Sequence, residues 1–230
     1  QIISVLSSHA AIALENKKLF LELDQAYFSS IRSLAKSLEL KDEYTYGHSE
    51  RVAKICVNIA KAMSMDEKSL RVLQNAAMLH DIGKIGVLES ILNKVGKLDD
   101  NEFHSIRKHP QFGDDILKPT ASLREERAIV RHHHEREDGR GYPDGLTGDE
   151  LSLSEKIIIV ADAFDAMNSK RPYRQPLEPE AIRSELLAHR GTQFDGEVVA
   201  VFLDIMESAI GDDGAGSAPS NVVPFRIYHT

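Results

Sequence analysis

The stretch AAMLHDIGKIG, residues 76–86, runs as an apolar helical segment to Leu79, meets His80-Asp81, and then breaks into glycines. Packing alone would favour another Leu or Ala where the imidazole and carboxylate stand. One reading is local punctuation: a histidine near the last carbonyls of a helix is favourable, and Gly83 serves as the stop. The other is chemical, because an imidazole beside a carboxylate is a ligand pair for a divalent ion. The pair by itself does not choose between them, so the reading extends outward in both directions.

Around this stretch the pattern is helix after helix. Val52, Ile55, Ile59 and Met63 form a stripe at helical spacing, and Leu70, Leu73, Ala76, Ala77 and His80 form the next. Asp99 with Glu102 is a capping-box signal ahead of NEFHSIRKH. LREERAIVRHHHE, SEKIIIVADAFDAMNS, EAIRSELLAHRG and GEVVAVFLDIMESAI read as four further helices. KIIIV alone could pass for a strand, but its continuation into ADAFDAM favours helix. No strand alternation or hairpin signal occurs, so the expected fold is an all-α bundle.

Residues 1–46 contain neither Gly nor Pro, and Leu14, Leu21, Phe28 and Ala35 repeat every seven residues. About 40 helical residues extend roughly 60 Å, too long for a compact domain. The segment therefore reads as a connector helix that pairs with a second copy, making a homodimer. An amphipathic helix folded back on its own domain is the alternative. The chain opens at Gln1-Ile2-Ile3, in mid-helix and without Met, which reads as a truncated start. The expected division is a connector over 1–40, a domain over 41–210 and a flexible tail over 211–230.

The 230 residues carry 42% hydrophobic and 28% charged side chains, an ordinary globular composition. No run of 18 apolar residues is present, so this segment is expected to make no membrane contact. A net charge of −8 argues against binding a nucleic-acid polymer, yet bound cations can invert the sign of a pocket. Cys56 excludes an intrachain disulfide, suits a cytoplasmic setting and falls in a core position of the helical pattern.

Ten histidines is a high count for an acidic chain. Five sit at helix ends or breaks: His48 after Gly47, His80, His109 before Pro110, and the adjacent His133 and His134. Asp162 shares a helix face with Asp165, Ile158 and Ala166, where a carboxylate is costly unless paired or bound to metal. Imidazoles with carboxylates are the ligand set of zinc, iron and manganese, and one Asp can bridge two ions through its two oxygens. Two such ions can grip a phosphodiester for in-line attack.

The order of the motifs resembles the HD-GYP family: GHSERVA at 47–53, HDIGK at 80–84, RKHPQFGDDIL at 107–117, HHEREDGRGYP at 133–143 and VADAFDAMNSKRPYR at 160–174. The resemblance covers about residues 40–205. It implies a five-helix HD core with extra helices, and hydrolysis of the bacterial second messenger cyclic di-GMP to pGpG, or on to GMP, by a metal-bridging hydroxide. It further implies that His48, His80, Asp81 and Asp162 hold one divalent ion, iron or manganese. Asp81 would bridge to a second held by His109, His133 and His134, with His132 left on the surface. Lys84 would face the scissile phosphate, Arg171 and Arg174 would contact phosphate or guanine, and Gly141, Tyr142 and Pro143 would form a pocket-shaping loop that also meets protein partners. The N-terminal SSHAAIALENKKLF resembles the last helix of GAF sensor domains.

Two departures matter. Tyr44 stands where some family members carry a third-metal glutamate, so two ions are expected and the second cleavage is put in question. Met167-Asn168 and Lys170 replace more usual residues without evident consequence. Two rival readings stay open: a catalytically silent module binding nucleotide or protein, and a mononuclear HD nucleotide phosphohydrolase.

Overall fold

A computed structural model describes residues 2–39, 41, 47–94, 96–169 and 175–212, with side chains described between residues 7 and 208. Tyr44, Lys170, Arg171, Arg174 and the tail beyond 212 lie outside the described residues.

Among the described residues ten α-helices follow in order: α1 Ile2–Glu39, α2 His48–Ala62, α3 Glu67–Leu79, α4 Glu89–Leu92, α5 Asp100–Ile106, α6 His109–Leu117, α7 Arg124–His132, α8 Leu153–Asn168, α9 Pro179–Ala188 and α10 Gly196–Asp212. Among the described residues there is no strand, only isolated bridges at Asp138–Thr147 and Arg190–Phe194. The ends of the helices are chemically specified. Asp66 accepts from the Lys68 and Ser69 amides at the start of α3. Full capping boxes, Asp99 with Glu102 and Ser152 with Glu155, open α5 and α8. Each such cap satisfies backbone amides that the first turn leaves without an intrahelical acceptor.

The helix α2 packs against α3 and α8, and α7 packs on α3. Val52, Cys56, Ile59, Leu73, Ala76, Ile158 and Val160 are fully buried between them, and α10 adds Phe202 against α2 and α8. Phe164 meets Phe202 edge-on at 4.8 Å. Ile157 to Ile159 is helical because both sides of α8 are covered, so an unbroken apolar run need not be a strand. The Cys56 thiol sits in this core, and burial pushes its pKa up.

The first helix has two environments. Ile31, Ala35 and Leu38 belong to the core, whereas Leu14 is 70% and Leu21 53% exposed. Its last turn is fastened beside the future site: the Glu39 carboxylate accepts from the Gly47 and Ser49 amides at 2.9 and 3.3 Å. Lys41 donates to the carbonyls of Ile85 and Val87.

Gly83 is not a left-handed helix stop, since its φ is not positive. It lies in the 3₁₀ turn Ile82–Gly86, against which α6 packs. A Cβ there would stand 1.8 Å from the His109 carbonyl oxygen and 2.4 Å from the Gly113 nitrogen. The glycine exists so that two backbones can touch. That contact also carries His109 to the side of Asp81.

Candidate metal centre

Three of the histidines share one construction. His80 caps the C-terminus of α3, His133 caps α7, and His109 follows the end of α5 by three residues. In each, ring Nδ1 lies 2.7–2.8 Å from the carbonyl three residues earlier: Ala77, Val130 and Ile106. A carbonyl only accepts, so Nδ1 carries the proton and each Nε2 presents a lone pair. The helix ends thus dictate the tautomer. His48, the first residue of α2, reaches the same state differently, with Nδ1 2.7 Å from Oδ2 of Asp165.

The lone pairs converge in two groups. His48 Nε2 lies 3.2 Å from both His80 Nε2 and Asp162 Oδ1. His109 Nε2 lies 3.1 Å from His133 Nε2, and His134 completes that group within 4.8 Å. Asp81 stands between them: Oδ2 is 3.5 Å from His80 Nε2, and Oδ1 is 3.4 Å from His109 Nε2. Lys84 Nζ closes on Oδ2 at 2.8 Å. His48, His80, Asp81, His109, His133, His134 and Asp162 therefore form one cluster, with Lys84 against it.

Two nitrogen lone pairs aimed at each other across 3.1–3.2 Å repel unless a cation lies between them. In the first group a proton can serve: burial opposes it, but the Asp162 and Asp165 carboxylates raise the His48 pKa to about 9. In the second group burial lowers His109, holds His133 well below the usual imidazole range and brings His134 to about 3. Three neutral imidazoles face one another there, a donor set for a divalent ion. Burial works against ionisation of Asp81, but Lys84 and the surrounding histidines hold its carboxyl well below the ordinary range, so both oxygens stay anionic. The residues present fit two divalent cations.

His132 differs from the surface residue expected. It is half-buried, with Nδ1 on Glu155 and Nε2 3.1 Å from Asp144. It faces away from the donor groups because successive helical residues point about 100° apart. Glu135, buried, pins the loop beyond: it accepts from the amides of Asp144, Gly145 and Leu146 at 2.7–3.1 Å. A Cβ on Gly141 would stand 2.3 Å from the Glu135 Cα, so the loop lies directly on that residue. This places Tyr142 with its ring 4.8 Å from that of His134. A cavity of about 380 Å³ opens beside the cluster, lined by His133, His134, Asp162, Tyr142, Phe103 and Arg107 among others.

Sequence reasoning assigned no role to Arg51, Asp165, Glu39, Glu135 or Arg107. Arg51 had a signal, one turn after His48 in GHSERVA; it donates to Asp165 at 2.7 and 3.0 Å. Asp165 was visible as a second carboxylate on the Asp162 face. Nothing local marked the other three.

An all-helical bundle with a buried His/Asp cluster built on HDIG defines a class, and comparison with known proteins agrees with it. The HD domain family model matches residues 32–198. The chain is 34% identical over 206 residues to the 3′3′-cGAMP-specific phosphodiesterase 2 of Vibrio cholerae, covering 89% of this chain and 40% of that protein. It is 35% identical over 197 residues to the cyclic di-GMP phosphodiesterase response regulator RpfG of Xanthomonas campestris, covering 84% and 52%. A cyclic di-GMP phosphodiesterase of Thermotoga maritima is 39% identical over 193 residues, covering 82% and 52%. The chain thus spans about half the length, or less, of these relatives. In fold it is similar to Bd1817, an HDG"Y"P protein of Bdellovibrio bacteriovorus, with a TM-score of 0.57 at 18% identity over 70% of this chain and 51% of that one. The chain belongs to the HD domain family, and its HDIG and GYP segments place it in the HD-GYP branch. Among the described residues, no helix is long and apolar enough to cross a membrane.

Proposed function

We propose that this chain is a metal-dependent phosphodiesterase that hydrolyses cyclic di-GMP to pGpG in the bacterial cytoplasm. The observation that carries the reading is Asp81, whose two oxygens face two separate groups of histidine lone pairs. A mononuclear HD site has no use for the second group. His48, His80, Asp81 and Asp162 would hold one ion; Asp81, His109, His133 and His134 the other. Iron and manganese both suit the donors. Bound there, the ions supply Lewis-acid stabilisation of phosphoryl charge and a lowered pKa for water.

The chain's own residues do the rest. Lys84 brings a cation to the Asp81 carboxylate and would offer it to a phosphate oxygen, where charge grows during displacement. The Ala77, Ile106 and Val130 carbonyls and the Asp165 carboxylate hold the imidazoles in one tautomer, so no reorganisation is needed when substrate arrives. Tyr142 forms the wall of the adjoining cavity. Arg171 and Arg174 are assigned to phosphate or guanine by their motif, and the GYP loop to protein contact. Ile12, Leu14, Phe20 and Leu23, each more than half exposed on α1, are assigned to pairing with a second copy.

Relatives at 34% identity and above that act on 3′3′-cGAMP make that dinucleotide the second substrate to try. The test is anaerobic incubation of chain loaded with ferrous iron or manganese with each dinucleotide, products resolved chromatographically. Formation of pGpG that slows before GMP is expected, in line with Tyr44 at the third-metal position. No hydrolysis with two ions demonstrably bound would overturn the reading in favour of a silent binding module.

A further inference from the structure

Of the three arginines that line the cavity beside the cluster, Arg107, Arg136 and Arg140, the first is held against aromatic rings. The Arg107 guanidinium carbon lies 4.4 Å from the centroid of the Tyr142 ring and 5.8 Å from that of Phe103. Both are within cation–π range. Its neighbour Arg136 is committed, donating to both oxygens of Asp138 and to Gln193. Arg107 forms no ion pair among the described residues. Two aromatic rings fix the guanidinium where a carboxylate would ordinarily do so, and this leaves its fork of N–H donors unspent. The cavity is otherwise supplied with ring faces, from Tyr142, Phe103 and His134.

An Arg fork lining an aromatic-walled pocket matches a guanine. Guanine shows two acceptors, O6 and N7, side by side on one edge. Adenine shows N7 beside an amino donor, which meets the fork with a donor against a donor. Position supports a base rather than the reacting phosphate: the wall runs from His134 to the Tyr142 ring at 4.8 Å, and from there to Arg107 at 4.4 Å. A phosphate gripped at the donor groups is already met by Lys84. Its nucleoside then extends along that wall.

We infer that Arg107, braced by Tyr142 and Phe103, forms a guanine-reading subsite next to the metal centre. This rests on the cyclic-dinucleotide reading above and adds a consequence to it. A mixed guanine–adenine cyclic dinucleotide can seat its guanine in only one orientation, so only one of its two phosphodiesters is presented for cleavage.

The test begins with binding, which needs no turnover. Calorimetric titration of the full, manganese-loaded chain with GMP and with AMP compares ligands that differ only in the base. Wild type is expected to favour GMP by roughly 5- to 150-fold, the range for a bidentate guanine contact. Both Arg107→Ala and Arg107→Lys should abolish the preference, since lysine keeps the charge but lacks the fork. Cleavage of 3′3′-cGAMP should give one linear isomer with wild type and both isomers with R107A. Equal affinity of wild type for GMP and AMP would overturn the inference. So would a GMP preference that survives R107A, or an R107K that restores wild-type discrimination, which would identify a phosphate contact. Absence of hydrolysis with the GMP preference intact would sink the phosphodiesterase reading alone.

Discussion

The Asp165 carboxylate lies 2.7 Å from Nδ1 of His48 and, on its other side, accepts from the Arg51 guanidinium. A residue outside both metal donor groups therefore sets the orientation and tautomer of one donor. In Asp165→Asn the amide can serve His48 or Arg51 as acceptor, but without the charge. Metal affinity at the His48 group is expected to fall roughly 10- to 100-fold. Competitive titration with a chromogenic chelator measures this, and unchanged affinity would show that His48 is held by its ring packing instead.

Adjacent histidines separate two roles. His133→Ala leaves the second ion only Asp81, His109 and His134, so one equivalent of metal and most turnover should be lost. His132→Ala removes the half-buried partner shared by Glu155 and Asp144, at a cost of about 1–3 kcal/mol in stability, yet should retain both ions. Metal content after gel filtration distinguishes the two. Equal metal loss from both variants would mean that the register of the second group is wrong.

Gly83→Ala tests whether two backbones must touch beside Asp81. An added Cβ meets the His109 carbonyl oxygen and the Gly113 nitrogen, neither of which is a flexible side-chain end. Overpacking of this kind costs about 1–3 kcal/mol. The unfolding midpoint should drop, and metal affinity at the His109 group should drop with it. A stable variant with altered affinity would still support the coupling, whereas an unchanged protein would refute it.

Glu135→Ala removes the acceptor of three loop amides at once. Each abandoned donor costs on the order of 1 kcal/mol where water cannot replace the lost acceptor. Hydrogen exchange at Asp144, Gly145 and Leu146 should accelerate by at least tenfold, while exchange in α2 stays slow. Protection retained at those amides would mean that the loop is held by Gly141 and its neighbours.

The exposed half of α1 should report on association. Leu14→Glu with Leu21→Glu replaces two side chains that are 70% and 53% exposed. Sedimentation equilibrium is expected to move from dimer to monomer with little change in unfolding midpoint. A monomeric wild type would dispose of the pairing.

Much of this molecule is written locally. Stripes at helical spacing, the Asp99–Glu102 capping box and the Gly-free first segment rest on interactions that reach no further than four residues, so they can be read in order along the chain. The donor types were equally legible: the histidines stand at helix ends, and Asp162 sits on an apolar face where a bare carboxylate is costly. Even the tautomers of His80, His109 and His133 follow from a local fact, the carbonyl three residues back. What those facts could not supply is company. His48 meets Asp165 across 117 residues, and Glu135 finds its partners in a loop with no periodicity. Gly83 looked like a helix stop, but it answers to a helix that begins 26 residues later, through a clash no local rule contains. The first helix read as one connector, yet packing divides it into an exposed length and a core length fastened to the start of α2. Local chemistry chose the donors and the helices that carry them. The meeting of both Asp81 oxygens with opposing lone pairs was decided only by the packing of α2, α3, α6, α7 and α8, because burial and close approach depend on three-dimensional neighbours rather than on spacing along the chain.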